Sequence, residues 1–427
     1  MTRAIRYNTY SPLRPPLEFG VSYDYTSGTA ALTRLGAATG LTVNTTSSPH
    51  VSGFSSYYPW AGIRRVTLVE ISGDVYAAYG NLNDAGVSVY DDDNTDFQTM
   101  VEIPKFYVKF SQTGTVLSYY ISPYPLKGYR LHPAFVRRQG ILDHIYVGAF
   151  EGYETGGYFY SVANQTPKVS QTRATFRGYV TGWQPTTPIP GYGWHLMTGD
   201  VWAAIQLLYL VEYAHTDSQT PSGSTAVGGL GDGLVHIAAV QKTGYTSGSL
   251  GTELGNASGR VAVAGSDYAI SYRGIENPWG NTNTWLDGIN VSTSRIPWFA
   301  DYTTEFSNVV TYTGYINSAE ALPAAAGYSS YPTFTSAFRE NCQFMPVGTG
   351  APADATHGSC DYYQIDAAHG FAAVKVPRVG GAFDQGTPAH AGIFYIDVAL
   401  ELAESNANTG ARLQYTPYDY TNFYRYW

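Results

Sequence analysis

The chain has 427 residues, 46 of them glycine and 38 tyrosine, and charged residues make up only 13%, about half the usual share. Its formal net charge of −9 argues against nucleic-acid binding, which needs a concentrated basic face; the pairs Arg64–Arg65 and Arg137–Arg138 are too small for one. Abundant glycine, aromatic and hydroxyl residues are instead typical of short strands joined by tight turns.

The N-terminal residues contain no targeting pattern. Met1 to Arg6 are not followed by an apolar run, so no signal peptide is expected, and no stretch reaches the roughly 18 consecutive apolar residues of a membrane span. We therefore expect synthesis in a host cytoplasm and no membrane insertion. The two cysteines, Cys342 and Cys360, fit that compartment, and the sequence leaves open whether they pair.

Residues 1–60 differ from the rest of the chain. They have weak periodicity and are punctuated by proline, serine and threonine. This pattern predicts an extended N-terminal arm with a few short strands, packed on a neighbouring chain. The body of the protein is predicted to begin at residue 61.

Strand-like patterns begin at Ile63 and continue through the chain. The acidic run Asp91–Asp96 has no glycine at the sharp bend that a calcium loop needs, so it is predicted to be a solvated turn. The strand-like segments are IRRVTLVEI (63–71), DVYAAYG (74–80), VSVYD (87–91), VEIPKFYVKF (101–110), VLSYYISPYP (116–125), ILDHIYVGAFEGYE (141–154), RVAVAG (260–265), YAISYRG (268–274), TWLDGINV (284–291), VVTYTGYI (309–316) and AGIFYIDVALEL (391–402).

One long segment, residues 200–214 (DVWAAIQLLYLVEYA), is predicted to be a helix. Thr198 or Asp200 can cap its N-terminus. Its apolar residues lie almost all round the helix, interrupted only by Gln206 and Glu212, so the helix should be buried rather than amphipathic. A second, short helix is predicted over residues 172–179, and a β-rich chain is expected to wrap around the longer one.

The remaining segments are poor in regular patterns. Residues 216–260 are rich in glycine, serine and threonine and predict long loops and a hairpin, and residues 320–390 are dominated by loops. Residues 416–427 form a tyrosine-rich C-terminal tail.

Motifs for catalysis or cofactor binding are not found. The nine histidines include no H-x-x-x-H or H-E-x-x-H zinc spacing, no G-x-S-x-G elbow occurs, and GGLGDG (228–233) lacks the lysine and helix of a phosphate loop. A metal cluster of His357, Cys360, Asp361 and His369 and a pair of glycosidase carboxylates remain open alternatives. We predict a protein without enzymatic activity, metal or cofactor.

A resemblance begins at Tyr272–Val291, YRGIENPWGNTNTWLDGINV. This stretch resembles the central motif of the C-type lectin fold, in the version shared by formylglycine-generating enzymes and by variable proteins of diversity-generating retroelements, including phage tropism determinants. Trp279 and Trp285 would anchor two ends of a turn, Gly280 would permit close backbone approach, and Asn281 would satisfy buried main-chain groups. Segments from EIPKFYVKF (102–110) to AGIFYIDVALEL resemble phage tail-associated proteins of this fold.

The resemblance implies an α+β fold: a β-rich C-type-lectin-like domain over residues 61–415, with one buried central helix, a short second helix, long loops and an N-terminal arm. Two functions of the wider fold do not carry over. Glu276-Asn277-Pro278 has the wrong order for calcium-dependent sugar binding, and Cys342 and Cys360 are too far apart in sequence for the reactive pair of formylglycine-generating enzymes.

The function that the resemblance implies is that of a phage tail fibre or tail tip protein that binds a host-cell receptor without catalysis. The arm would join other virion proteins, a homotrimer would form about a fibre axis, and the receptor would be a surface glycan or protein. The alternatives are a structural tail, baseplate or capsid-decoration protein without receptor contact, and a polysaccharide-degrading enzyme.

In this fold the binding surface is built from the strands and loops that follow the Trp-Gly-Asn motif. A surface rich in tyrosine, asparagine, serine and glycine also resembles an antibody paratope, although an obligate oligomer that hides its tyrosines between subunits is the competing interpretation. The residues predicted to bind the ligand are Asn283, Trp298, Tyr302, Tyr328, Tyr331, Tyr362 and Tyr363.

Overall fold

The computed structural model of the chain describes residues 17–24, 31–71, 74–78, 98–138, 140–183, 191–219, 229–248, 250, 256–265, 267–302, 306–307, 314–328, 342–346, 361–365, 371–385 and 390–417. Within them, two α-helices stand among many short strands: α1 Arg173–Thr181 and α2 Gly199–Tyr213. Three short 3₁₀ helices cover Gly53–Ser56, Trp60–Gly62 and Pro133–Phe135.

The strands follow in chain order. They are β1 Phe19–Asp24, β2 Thr33–Gly36, β3 Val43–Asn44, β4 Val51–Ser52, β5 Arg64–Ile71, β6 Asp74–Ala78, β7 Gln98–Pro104, β8 Tyr107–Thr113, β9 Val116–Ser122, β10 Arg130–Leu131, β11 Val136–Arg137, β12 Gly140–Ile141, β13 His144–Gly148, β14 Tyr153–Thr155, β15 Tyr158–Tyr160, β16 Gly193–Leu196, β17 Gly259–Ala264, β18 Asp267–Tyr272, β19 Ile275–Glu276, β20 Asn283–Trp285, β21 Ile289–Val291, β22 Pro297–Ala300, β23 Tyr315–Asn317, β24 Gly327–Tyr328, β25 Tyr362–Gln364, β26 Arg378–Gly380, β27 Gly392–Asp397, β28 Thr409–Gly410 and β29 Leu413–Thr416.

Three larger sheets organise these strands. Their orders are β10-β8-β9-β1-β2, β16-β29-β13-β7-β5-β6 and β24-β25-β27-β26-β20-β28. Two three-stranded sheets, β17-β18-β19 and β21-β22-β23, and the pairs β3-β4, β11-β12 and β14-β15 complete the described architecture. The prediction of a β-dominated α+β fold is confirmed at this level.

Helix α2 is the buried centre that the sequence predicts. All of its residues except Asp200 are buried, because apolar side chains occupy every side of the helix. Thr198 caps the N-terminus, where its Oγ1 accepts a hydrogen bond from the N–H of Val201, and Ala214 follows the last helical residue in the left-handed conformation. Strands β1 and β9 pack against it in the main core of the protein.

A buried ion pair ties this helix to the motif region. The Glu212 side chain is 0% exposed, and its carboxylate accepts hydrogen bonds from Nε (3.1 Å) and Nη2 of Arg273 and from Oγ of Ser52 (2.6 Å). Burial opposes the charge of Arg273, but attraction by Glu212 prevails and raises the arginine pKa. The helix is therefore anchored at its C-terminal end to residues far along the chain.

The prediction of an N-terminal arm is wrong for the described residues 17–24 and 31–60. Strand β1 lies inside the first sheet between β9 and β2, and Phe19, Phe54 and Trp60 are fully buried in the main core. The ring of Trp60 lies 5.3 Å from that of Phe19 and 4.8 Å from that of Phe54. This part of the chain belongs to the body because alternation at Phe19, Val21 and Tyr23 buries one face of β1. Residues 1–16 lie outside the described residues.

Other predicted boundaries also shift. The segment 101–110 is two strands of different sheets, β7 and β8, because the break after Pro104 redirects the chain. Thr416, predicted to start the tail, belongs to β29. Residues 418–427, the predicted strand 87–91, the acidic turn 91–96 and most of 309–316 lie outside the described residues.

Three buried histidines carry a pH dependence. Burial lowers the pKa of His132 to about 3, and that of His50 and His195 to about 4. His132 Nδ1 accepts a hydrogen bond from the N–H of Ala134 (3.2 Å), so protonation there would also remove a helix cap.

The free energy of unfolding should therefore fall on acidification. A histidine whose folded pKa is depressed stabilises the protein fully above its unfolded pKa of about 6.5, and this stability is lost as pH falls towards the folded pKa. Each such histidine should cost up to about 1.4 kcal/mol per pH unit in this window. Urea denaturation at pH 7, 6 and 5 measures the slope.

A His132→Asn variant isolates one contribution, since other groups titrate in the same range. Asparagine can cap the short helix without titrating. Its pH slope should be shallower than that of the wild type, and equal slopes would show that His132 does not resist protonation.

Candidate functional site

The motif Tyr272–Val291 forms a packed centre. Trp279 and Trp285 are fully buried, the first in the main core and the second in a separate core beside α1. Gly280 has φ of +76°, and a Cβ there would lie 2.6 Å from the backbone nitrogen of Leu234. Asn281 accepts from the N–H of Gln241 (2.7 Å) and donates to its carbonyl (3.1 Å). The close backbone approach at Gly280 and the main-chain hydrogen bonds of Asn281 agree with the prediction for these two residues, and the anchoring of a turn by Trp279 and Trp285 stays a prediction.

Glu151 is the buried carboxylate at the middle of this motif. Its Oε1 accepts from the N–H (2.9 Å) and the hydroxyl of Thr282, and its Oε2 accepts from Nδ2 of Asn281 and Asn277. Burial raises the pKa of Glu151 to about 7, although Arg412 and these donors oppose the shift. Because both oxygens already face donors, this carboxylate holds the motif together rather than serving a ligand.

Polar residues near Glu151 also make hydrogen bonds inside the protein. Glu276 accepts from the N–H groups of Gly244 (2.6 Å) and Thr246 (2.7 Å), and Asn277 is 1% exposed. Arg412 donates to the carbonyls of Gly148, Glu276 and Asn277. The Glu-Asn-Pro stretch therefore serves the interior of the protein.

Three of the seven predicted ligand residues are buried and do not line a surface. Asn283 is 0% exposed, and its Oδ1 accepts from the N–H of Gly381 (3.1 Å). Tyr363 is 2% exposed and donates to the carbonyl of Pro323 (3.3 Å).

Tyr302 is the third of them. It is 9% exposed, its hydroxyl donates to Asp200 Oδ2, and the Arg137 guanidinium lies 4.1 Å from its ring centroid. Burial raises the pKa of both Asp200 and Tyr302. The expectation that these three side chains contact a ligand is corrected, because each is used in packing.

The other predicted residues lie at two places. Tyr362 on β25 is partly exposed, with its ring 4.2 Å from that of His390, and its backbone is paired with that of Tyr328 on β24. Trp298 is partly exposed on β22, in a different sheet. Tyr331 lies outside the described residues. The structure thus pairs the backbones of Tyr328 and Tyr362 on neighbouring strands and places Trp298 in another sheet.

The sequence analysis did not predict one group of aromatic residues that the structure places together. The register of β14 and β15 pairs Tyr153 with Tyr160 and Thr155 with Tyr158, so three tyrosines share one face of the hairpin, and Trp183 packs against Tyr158 (5.2 Å) and Tyr160 (5.3 Å). We call Tyr153, Tyr158, Tyr160 and Trp183 the hairpin aromatic face. The alternation in YETGGYFY around a Gly-Gly turn was a signal that could have found it.

Metal and thiol chemistry find no support in the described residues. No group of three or more histidine, cysteine, aspartate or glutamate side chains is placed there to hold a metal. Cys342 is a buried free thiol, and burial raises its pKa to about 12. The sequence left open a metal cluster of four residues. One of them, Asp361, is buried and accepts hydrogen bonds from Gln219 and from the N–H of Phe394. The other three, His357, Cys360 and His369, lie outside the described residues.

Comparison of the chain with protein-family models and with curated proteins finds no match. None of the helices in the described ranges is long and apolar enough to cross a membrane.

Proposed function

We propose that the protein is a non-catalytic phage virion protein, at a tail fibre or tail tip, that binds a host-cell receptor through a C-type-lectin-like domain. The observation that carries the proposal is the motif itself. The support lies in the burial of Trp279 and Trp285, the positive φ of Gly280 and the hydrogen bond that Asn281 accepts from the N–H of Gln241. A packed motif supported by the Glu151 hydrogen bonds gives the rigid base on which a binding face needs to be built.

The receptor face of this proposal is Trp298, Tyr328 and Tyr362. Tyr362 and Trp298 are partly exposed, and aromatic side chains of this kind bind through ring contact and a polar group without catalysing a reaction. Because β24 and β25 carry Tyr328 and Tyr362 at paired positions, two of the three act from neighbouring strands.

The proposal extends to assembly in the virion, following synthesis in the host cytoplasm. A homotrimer about a fibre axis would give a mass of three times 46.4 kDa. Because the described residues from 17 onwards pack in the body, contact with other virion proteins is assigned to residues 1–16 rather than to the whole of 1–60.

Adsorption of the purified protein to intact host cells tests the receptor face. Alanine at Trp298, Tyr328 or Tyr362 should each weaken adsorption by about 1–3 kcal/mol while the melting temperature stays unchanged. Tyr245→Ala is the matched control, since Tyr245 is 37% exposed in another part of the chain. If the three variants adsorb like the wild type, or lose adsorption only when they also unfold, the structural alternative without receptor contact should replace this proposal.

A further inference from the structure

We infer that the hairpin aromatic face is a second binding site, which takes neutral saccharides. Tyr158 is 42% exposed, and Tyr153, Tyr160 and Trp183 are partly exposed. These residues come from β14, β15 and the segment after α1, and they share no strand with Trp298, Tyr328 and Tyr362. The inference does not depend on a virion location.

The rings of this face are held in place before any ligand arrives. The Trp183 indole N–H donates to the carbonyl of Phe159 (2.9 Å), and its ring stands at 63° and 88° to those of Tyr158 and Tyr160. Gly182 allows the Tyr158 ring to lie close, because a Cβ there would be 2.7 Å from the ring. A face fixed in this way loses little conformational entropy on binding.

The hairpin aromatic face also offers unused hydroxyl groups. Within the described part of the chain, no hydrogen bond engages the hydroxyls of Tyr153 and Tyr158. In contrast, the tyrosine hydroxyls of Tyr129, Tyr146 and Tyr302 each donate to a carboxylate. Exposed rings next to free hydroxyls suit a ligand with apolar C–H faces and hydroxyl groups on the same molecule. A pyranose has both.

The charge of the site selects a neutral ligand. Glu154 alternates with Tyr153 and Thr155 and so lies on the opposite face of the hairpin, where it forms an ion pair of 2.9 Å with Lys168; Lys168 also lies 5.9 Å from the Tyr179 ring. Their pairing lowers the pKa of Glu154 and raises that of Lys168. The hairpin sequence 153–160 contains no lysine or arginine, Lys168 is compensated by Glu154, and the whole chain carries a net charge of −9, so these described residues offer an acidic saccharide no unpaired cation.

A polysaccharide array and calorimetry test the inference on the full chain. The probes are α- and β-glucans, mannan, galactan and chitohexaose as neutral saccharides, with heparin and polysialic acid as acidic ones. We expect binding to at least one neutral probe and to neither acidic probe. Tyr158→Ala should weaken that binding about tenfold or more, and Tyr158→Phe, which loses only the hydroxyl, should weaken it about threefold.

A matched variant separates loss of this site from a general effect of removing an exposed tyrosine. Tyr245→Ala, at a 37% exposed position outside both proposed sites, should bind the neutral probe like the wild type, and every variant should keep its melting temperature. Tyr153→Ala serves as a second substitution in the face if Tyr158→Ala unfolds. The inference is overturned if no neutral probe binds, if acidic probes bind better, if both face variants bind normally, or if the face captures a protein and no saccharide.

Discussion

Replacing Glu212 by leucine is expected to lower the free energy of unfolding by about 3–5 kcal/mol. The substitution would leave Arg273, whose side chain is 2% exposed, as an uncompensated charge in the main core. Ser52 would lose its acceptor on the same carboxylate. Urea denaturation at pH 7 measures the loss.

The control for this prediction is the double variant Glu212→Leu with Arg273→Met. Replacing both members of a buried ion pair by apolar residues is often nearly neutral, so the double variant should recover much of the lost stability. If Glu212→Leu alone unfolds within about 1 kcal/mol of the wild type, the carboxylate is not what compensates the charge of Arg273.

Trp202→Ala is expected to cost about 3–5 kcal/mol, because it removes a large side chain from the most buried helix of the protein. Trp202 is 4% exposed and lies among the apolar residues of the main core. Thermal melts and urea denaturation check the prediction. Trp298→Ala is the control, since it removes the same side chain from a partly exposed strand position and should cost clearly less. Similar losses for both variants would contradict the central role of α2.

Local sequence patterns predicted the structural features that depend on residues close together in the chain. The all-round apolar helix α2 and its cap at Thr198 are such features. The buried roles of Trp279 and Asn281 were predicted from a motif rather than from periodicity. Partners that come from distant segments could not be read in this way.

Glu151 shows why the other features of the site could not be predicted from the sequence. The identity of a glutamate does not reveal that Asn281 and Thr282, over a hundred positions away, will donate to it. The exposure of a tyrosine is equally hard to predict from the sequence. Tyr302 is buried against Asp200, whereas Tyr158 is 42% exposed. The residues that flank each tyrosine in the sequence do not show which of the two is buried. The candidate site was therefore predicted less well than the fold.

The position of β29 has a consequence for how the protein is made. This strand lies between β13 and β16, where Tyr415 is opposite Tyr146 on one side and Trp194 on the other. During translation, the edges of β13 and β16 that pair with β29 stay unpaired until residue 416 has left the ribosome. Such edges can pair with other nascent chains, so the crowded polysome is where this fold is most exposed to misassembly.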